Sequence, residues 1–250
     1  VEGKATVVQD AANSSRFSDR IARLLERTTY RCVRTEAERE PIYRLRYRAY
    51  MREGAIDPNP DERFTDPYDH SPNVFVIAMY IDGGLASSIR LHVASHDLEP
   101  LPGVDVFGPE LLPLLREGRV LIDPTRHVTS LEFSRRFPEL PFLTVRSAWM
   151  AGEHFLADYI LATVRTEHRA FFKRIFGHLE WTEARTYPSL RKPIVCMGMN
   201  YPEAKEWVEG RYPHFRSTEA ERTALFGCAA RAVPDLPHAA KAGASAAAGG

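Results

Sequence analysis

A carboxylate and a guanidinium stand three residues apart where an apolar run of this sequence is interrupted. In the segment GRVLIDPTRH (118–127), the apolar residues 120–122 predict a strand, and Asp123, Pro124 and Arg126 follow directly. Proline cannot donate a hydrogen bond within a sheet, so Pro124 indicates an edge or a bulge. Bulges re-aim side chains and are frequent beside active sites. The segment therefore predicts a bulged strand at a reactive site, and the alternative is a strand end with a surface ion pair.

A second arginine is predicted to point inward from a helix. The helix is expected to begin at Glu40–Pro41, since proline is tolerated in the first turn, and to end at Arg52. Arg46 falls on its apolar face, where an unpaired cation would be costly, by about 3–5 kcal/mol. Arg46 therefore requires an anion elsewhere, unless its guanidinium reaches solvent at the edge of that face. The apolar face comprises Ile42, Leu45, Ala49 and Tyr50. The opposite face carries Arg44, Arg48 and Arg52.

The loop at 57–72 supplies candidate anions for this arginine. It contains Asp66, Tyr68 and Asp69, and Asp66 or Asp69 could pair with Arg46. Aspartate and proline also form turns, which is the alternative explanation for their presence in this loop. The sequence predicts an acidic loop placed over the helix, with turn formation as the competing interpretation.

A hairpin follows the loop. The strands are predicted at Asn73–Ile81 and Leu85–Val93, joined by a turn at 82–84 (Asp-Gly-Gly). In the second strand Arg90 alternates with aliphatic residues and therefore points away from them. Its side chain is expected either on a solvated face or in a groove.

The remaining elements are predicted from periodicity and from helix-ending residues. Helices are expected at Asp19–Arg27, Phe107–Leu115 (helix or turn), 142–157, Glu167–Phe176, Glu203–Glu209 and Glu219–Phe226. Further strands are expected at Thr29–Val33, Tyr159–Val164, Glu180–Thr186 and Ile194–Met199. These elements give three regions: an N-terminal extension (1–28), a mixed α/β domain (29–227) and a disordered tail (228–250).

Composition excludes several classes of protein. The 250 residues have a formal net charge of zero, which gives no electrostatic case for nucleic acid or for a membrane surface. No apolar run reaches 18 residues, so we expect no integral membrane protein. The first residues lack a signal peptide, and the three cysteines are far apart, which favours the cytoplasm. The nine histidines have no metal-binding spacing, so we expect no metal.

The order of these motifs resembles a known enzyme family. The element order is similar to that of the Gcn5-related N-acetyltransferases (GNAT), with a mixed central sheet flanked by helices and a bulged strand near residues 120–128. The signature resembles that of the acyl-homoserine-lactone (autoinducer) synthases, and more closely that of the long-chain N-acyl amino acid synthases of the FeeM type. This resemblance covers about residues 29–200. The signature consists of Leu45-Arg46 with Tyr50, Asp66-Pro67-Tyr68-Asp69, Ser88-Ile89-Arg90 and Asp123-Pro-Thr-Arg126.

Two departures separate the chain from the autoinducer synthases. Ile56 stands where they carry tryptophan, and Asp123 where they carry glutamate. Both departures speak against a homoserine lactone product. Glu132-Phe-Ser-Arg135 also spells the acidic strand motif, so two registers are open. We favour Asp123, because an apolar strand leads into it and because prolines follow the rival motif.

The resemblance implies an N-acyltransferase that moves a fatty acyl group from acyl carrier protein (ACP) to an amino acid. Asp123 would accept the amine proton, and a backbone amide at the bulge would stabilise the oxyanion. Arg46 and Arg126 would form an ion-pair network with Asp66 and Asp69. The other implied substrate contacts are Arg90 with the acceptor carboxylate, Tyr50 in the site and Trp149 in the acyl tunnel.

The donor is expected to be the acyl-phosphopantetheine of ACP, with no bound cofactor. After the central strand the chain has no glycine before Gly152 to form a loop for the pyrophosphate of CoA. Arg135 and Arg136 would dock the acidic carrier protein. Two alternatives remain open. One is an acyl-homoserine-lactone synthase that uses S-adenosylmethionine, and the other is an inactive GNAT module that only binds acyl chains.

Overall fold

The computed structural model describes residues 16–187 and 190–227. Its strands are β1 (Thr28–Val33), β2 (Val74–Ile81), β3 (Gly84–Ala94), β4 (Leu121–Thr129), β5 (Tyr159–Arg165), β6 (Leu179–Glu180) and β7 (Ile194–Asn200). Its helices are α1 (16–25), α2 (Glu36–Arg52), α3 (Val104–Arg116), α4 (Leu131–Arg136), α5 (Leu140–His154), α6 (Arg169–Phe176), α7 (Tyr201–Arg211) and α8 (Glu219–Phe226). Short 3₁₀ turns lie at Pro67–His70, Thr166–His168 and Pro213–Phe215.

The strands form one mixed sheet in the order β1-β2-β3-β4-β5-β7-β6. All neighbouring pairs are antiparallel except β4 and β5, which run parallel. Helices cover both faces, because alternate residues of each strand are apolar on both sides. This arrangement confirms the predicted mixed sheet flanked by helices.

The two faces of the sheet carry separate cores. On one face Ile77, Leu91 and Ile122 pack in a cluster with Trp149 of α5. On the other face Leu121 packs with Leu111 of α3. Neighbouring residues of one strand thus belong to opposite cores, as the alternation of a strand requires. We refer below to the α5 face and the α2/α3 face of the sheet.

Helix α2 begins four residues before the predicted start. Thr35 caps it: the Thr35 side chain accepts a hydrogen bond from the backbone of Glu38, and the Glu38 carboxylate binds the Thr35 amide in return. This capping box satisfies amides that would otherwise lack partners, so the helix extends back past Pro41. The prediction of a start at Glu40–Pro41 is therefore wrong, and the predicted end at Arg52 is confirmed.

The predicted hairpin is confirmed, and its turn has the expected geometry. Asp82 and Gly83 have positive φ values of 51° and 82°, as a two-residue hairpin turn requires. The strand predicted at Glu180–Thr186 is largely wrong. Only Leu179–Glu180 and an isolated bridge at Arg185 pair with β7, because the Trp181 ring lies over Gly198 and turns the chain away from the sheet edge.

The packed unit includes residues that the sequence assigns to an extension. In α1, Ile21 is fully buried beside Leu140 and Leu143 of α5, so the packing begins before the boundary expected at residue 28. Helix α4 was missed, because six residues leave no clear periodicity. The tail predicted from 228 lies outside the described residues. Within the described part, no helix combines the length and apolarity that crossing a membrane requires.

Candidate active site

A cavity opens where two parallel strands separate. Strands β4 and β5 pair only at Leu121–Tyr159 and Ile122–Ile160, and beyond these residues they diverge. A cavity of about 560 Å³ fills the gap and is lined from both faces of the sheet. Its volume lies within the usual range for small-molecule sites. The cavity therefore passes through the sheet and joins its two faces.

The part of the cavity on the α5 face is apolar. Trp149 lies in its wall, as the sequence predicts, and the indole nitrogen donates to Glu209 Oε1 (3.1 Å), so the ring is held in place. This wall has the length and chemistry to hold an alkyl chain. It is formed chiefly by Phe142, Val145, Ala148, Trp149, Phe171, Phe172, Phe176 and Met199.

The part on the α2/α3 face is polar. Its wall includes the predicted Tyr50 and Arg126, together with residues that the sequence did not single out. Tyr50 stacks edge-on against Phe64 (4.9 Å between ring centroids), and the Arg126 guanidinium lies 4.8 Å from the Phe64 ring centre. The residues that sequence reasoning missed are Glu53, His127, Thr163, Tyr187 and Lys192. They come from separate elements and share no motif, so only His127 had a sequence signal, its position in the segment 118–127.

A bulge in β4 sets the direction of these side chains. Arg90 of β3 pairs with Thr125, whereas Ser88 pairs with Val128, so Arg126 and His127 together face one residue of β3. Arg126 has a φ of +52°, which is uncommon for a residue other than glycine. The bulge predicted near 120–128 is thus confirmed, and it lies two residues after Pro124. The alternative of a strand end at Asp123 is wrong, because β4 continues to Thr129.

Five buried charges connect the acidic loop to the sheet. Arg46 Nη1 donates to both carboxylate oxygens of Asp69 at 2.8 Å. Arg90 Nη1 contacts Asp66 Oδ1 at 2.5 Å and Asp69 Oδ1 at 3.2 Å. Arg126 Nη2 donates to Asp66 Oδ2 at 2.6 Å. The two aspartates therefore alternate with three arginines, and the alternative interpretations of Arg46 as solvent-reaching and of the aspartates as mere turn formers are wrong.

The arginines keep both aspartates ionised. Burial by itself would raise the pKa of Asp69, but the charges of Arg46 and Arg90 outweigh it and hold that pKa well below its usual range. The pKa of Asp66 is also lowered: its burial is outweighed by the hydrogen bond and charge of Arg90 and by Arg126. The network therefore stays charged at any pH at which the protein is studied.

Arg90 is the bridging member of this network. Its side chain is buried, and its Nε donates to Thr125 Oγ1 at 3.0 Å. The solvated-face interpretation is therefore wrong. Because its guanidinium already holds two carboxylates of the protein, the geometry gives little support to the predicted contact of Arg90 with an acceptor carboxylate.

Asp123 lies deep in β4 beside the cavity but does not line it. Its Oδ2 accepts from the Gly103 amide at 3.0 Å, and its Oδ1 accepts from the Thr163 hydroxyl at 3.3 Å. Burial raises the pKa of Asp123 to about 6. The rival Glu132 is exposed on α4, so of the two possible registers the one that we favoured places its acid on the buried strand.

Comparison with known proteins agrees with this architecture. FeeM, an N-acyl amino acid synthase from uncultured soil microbes, has the same fold, with a TM-score of 0.59 at 16% identity, covering 72% of this chain and 94% of that chain. The CoA-dependent acyl-homoserine lactone synthase MesI matches with a TM-score of 0.50 at 18% identity, covering 76% and 97%. The acyl-homoserine lactone (AHL) synthase LasI matches with a TM-score of 0.51 at 13% identity, covering 69% and 89%. A comparison with curated proteins finds no match.

The fold and the cavity through the sheet define a GNAT-like acyltransferase. The sequence model of the family "N-acyl amino acid synthase FeeM" matches residues 41–200, which is more than half of the chain. The chain belongs to this family. Within 16–187 and 190–227, no three His, Cys, Asp or Glu side chains are grouped so that they could hold a metal ion.

The first prediction concerns Arg46. Arg46→Ala should lower the free energy of unfolding by about 3–5 kcal/mol, because Asp69 stays buried without its main partner. Arg46→Lys should recover part of this loss, since it keeps the charge but not the guanidinium beside Tyr43. Urea denaturation measures both. The control is Arg44→Ala on the exposed face of α2, which should cost less than about 1 kcal/mol. Equal midpoints for the two alanine variants would show that the network does not stabilise the fold.

The second prediction concerns the buried acid Asp123. With a pKa of about 6 in the folded protein and about 3.9 unfolded, Asp123 costs the wild type about 2–3 kcal/mol of stability as the pH rises from 4 through 6. Asp123→Asn removes this charge, so the variant should match the wild type near pH 4 and exceed it at pH 8. Denaturation at several pH values measures the difference. Glu132→Gln, an exposed control, should show no such trend. A less stable Asp123→Asn at pH 8 would contradict the assignment.

Proposed function

We propose that this protein transfers a long-chain fatty acyl group from acyl carrier protein to the amine of an amino acid, giving an N-acyl amino acid. The observation that carries the proposal is the cavity through the sheet, apolar on the α5 face and polar on the α2/α3 face. A fatty thioester needs an apolar site for its chain, and an amino acid needs polar groups. The two would meet at the bulge in β4, between the diverging strands.

The chemistry at the meeting point follows from the reaction. The amine attacks the thioester carbonyl as the neutral base, so a group of the protein must accept a proton from its nitrogen. An oxyanion forms on the former carbonyl oxygen, and donors placed there in advance stabilise it. We propose that a backbone amide at the bulge, where the extra residue is unpaired, is such a donor. Arg126 places a cation in the polar wall.

The sequence-based candidate for the proton acceptor is Asp123. Its raised pKa would suit a base. Both of its oxygens, however, already accept hydrogen bonds, and the substrate could reach it only through Thr163, whose hydroxyl stands between Asp123 and the cavity. The geometry supports a role in holding the Gly103 amide and Thr163 in the cavity wall.

The experiment that tests the function uses the purified protein. Hexadecanoyl-ACP is incubated with an equimolar mixture of the 20 common amino acids, and the products are identified by mass spectrometry. An N-hexadecanoyl amino acid is expected, and its mass identifies the acceptor. A parallel reaction contains S-adenosylmethionine. Formation of acyl-homoserine lactone and methylthioadenosine there would instead favour the autoinducer synthase alternative, and donor binding without any product would favour the inactive module.

The choice of donor rests on a basic surface beside the apolar end of the cavity. Arg135 and Arg136 are exposed at the end of α4, and the chain enters the cavity wall two residues later, at Pro138. On α6, Lys173 and Arg174 are exposed next to the wall residues of that helix. None of the four forms an ion pair with a described residue. Such a surface is complementary to an acidic carrier protein.

The third prediction tests this surface. Reversal of both charges (Arg135→Glu with Arg136→Glu) should raise the apparent KM for hexadecanoyl-ACP and flatten its dependence on salt, with little change in kcat, because surface charges act mainly on encounter. Hexadecanoyl-CoA serves as the matched donor control, since it lacks the carrier surface. One structural relative is a CoA-dependent synthase, which makes this comparison necessary. Equally efficient turnover of both donors, unaffected by the reversals, would contradict the ACP proposal.

A further inference from the structure

The bulge in β4 turns one histidine away from the ion-pair network and into the cavity. Before the bulge, Asp123 and Thr125 lie on the α2/α3 face, where they contact Gly103 and Arg90. The extra residue shifts this alternation by one position, so that Arg126 reaches Asp66 on the same face. Val128 also packs on that face, against α2. His127, between Arg126 and Val128, therefore points to the opposite side.

His127 is accessible from the cavity. Its side chain is exposed, and it lies in the cavity wall. The accessible surface of the ring is thus cavity surface, with the protein around it. This enclosure, together with His168, lowers the pKa of His127 to about 4. The imidazole is therefore neutral at pH 7 and has a nitrogen that can accept a proton.

The charged groups around His127 come from several elements. Glu53 at the end of α2 pairs with Arg165 of β5 at 2.8 Å. Arg165 Nη2 also lies 2.9 Å from His168 Nε2, in the turn that follows β5.

Two further cations lie in this part of the cavity wall. Lys192 has no ion pair with a described residue, and Arg126 is neutralised by Asp66. Cations therefore exceed free anions around the ring, which disfavours a second positive charge on His127.

We propose that His127 accepts the amine proton during acyl transfer, in place of the buried Asp123. This step rests on the proposed function. The acceptor first loses its ammonium proton to solvent. Its nitrogen lone pair then forms the C–N bond at the thioester carbonyl, and the nitrogen gives its second proton to the imidazole. When the C–S bond breaks, the sulfur takes the electron pair and then the proton from the imidazolium. An amide and a thiol result, and His127 is neutral again.

Three variants are compared with the wild type in single turnovers with saturating hexadecanoyl-ACP and the acceptor identified above. His127→Gln should lower the rate by about 10²–10⁴, the usual effect of losing a general base. Its melting temperature and donor KM should stay near the wild-type values, because the ring faces the cavity. Asp123→Asn should lose much less activity. His96→Gln, at an exposed site, is the matched control.

The pH dependence and chemical rescue separate a proton acceptor from a packing residue. The wild-type rate should fall more steeply below about pH 4, where His127 is protonated, whereas dependence on Asp123 would place this break near pH 6. Added imidazole should restore part of the activity of His127→Ala, which also serves if His127→Gln does not fold.

The outcomes distinguish this step from the proposed function. A wild type that acylates no amino acid overturns the proposed function and this step with it. An active wild type whose His127→Gln variant is equally active overturns this step alone. So does a break near pH 6 that disappears in Asp123→Asn.

Discussion

The buried ion-pair network is the interaction on which the rest of the site depends. Asp66 and Asp69, from one loop, are clamped by arginines of α2, β3 and β4. A single buried charge costs several kcal/mol, and each is tolerated here because it has a partner of opposite sign. The loop therefore has one stable position. Arg126, anchored to Asp66, also holds the strained bulge residue in place.

The bulge matters because it lies where β4 and β5 separate. A sheet normally seals its two faces from each other, since every backbone group pairs with a neighbouring strand. Here the parallel pairing ends after two residues, and the gap admits a cavity that joins an apolar core to a polar surface. An enzyme that acylates a polar amine with a fatty chain must bring two such environments together. The divergence of two strands achieves this without a separate domain.

Burial acts in opposite directions on the two titratable side chains of β4. It raises the pKa of Asp123 and lowers that of His127, because in each case it disfavours the charged form. Asp123 is compensated by hydrogen bonds from Gly103 and Thr163, which occupy its oxygens. His127 faces the cavity and remains available to a substrate. The strand thus combines a structural acid with an accessible base four residues later.

The sequence by itself determined the order of the elements, the hairpin, the bulged strand and the need of Arg46 for an anion, because these depend on local periodicity and on turn residues. Only the tertiary structure decided that Arg90 bridges two aspartates, that Asp123 is enclosed, and that His127 reaches the cavity. The direction of a side chain after a bulge depends on which residue takes the left-handed conformation. The pairing of β4 with β3 and the pull of Asp66 on Arg126 set that choice, and both are contacts between distant parts of the chain.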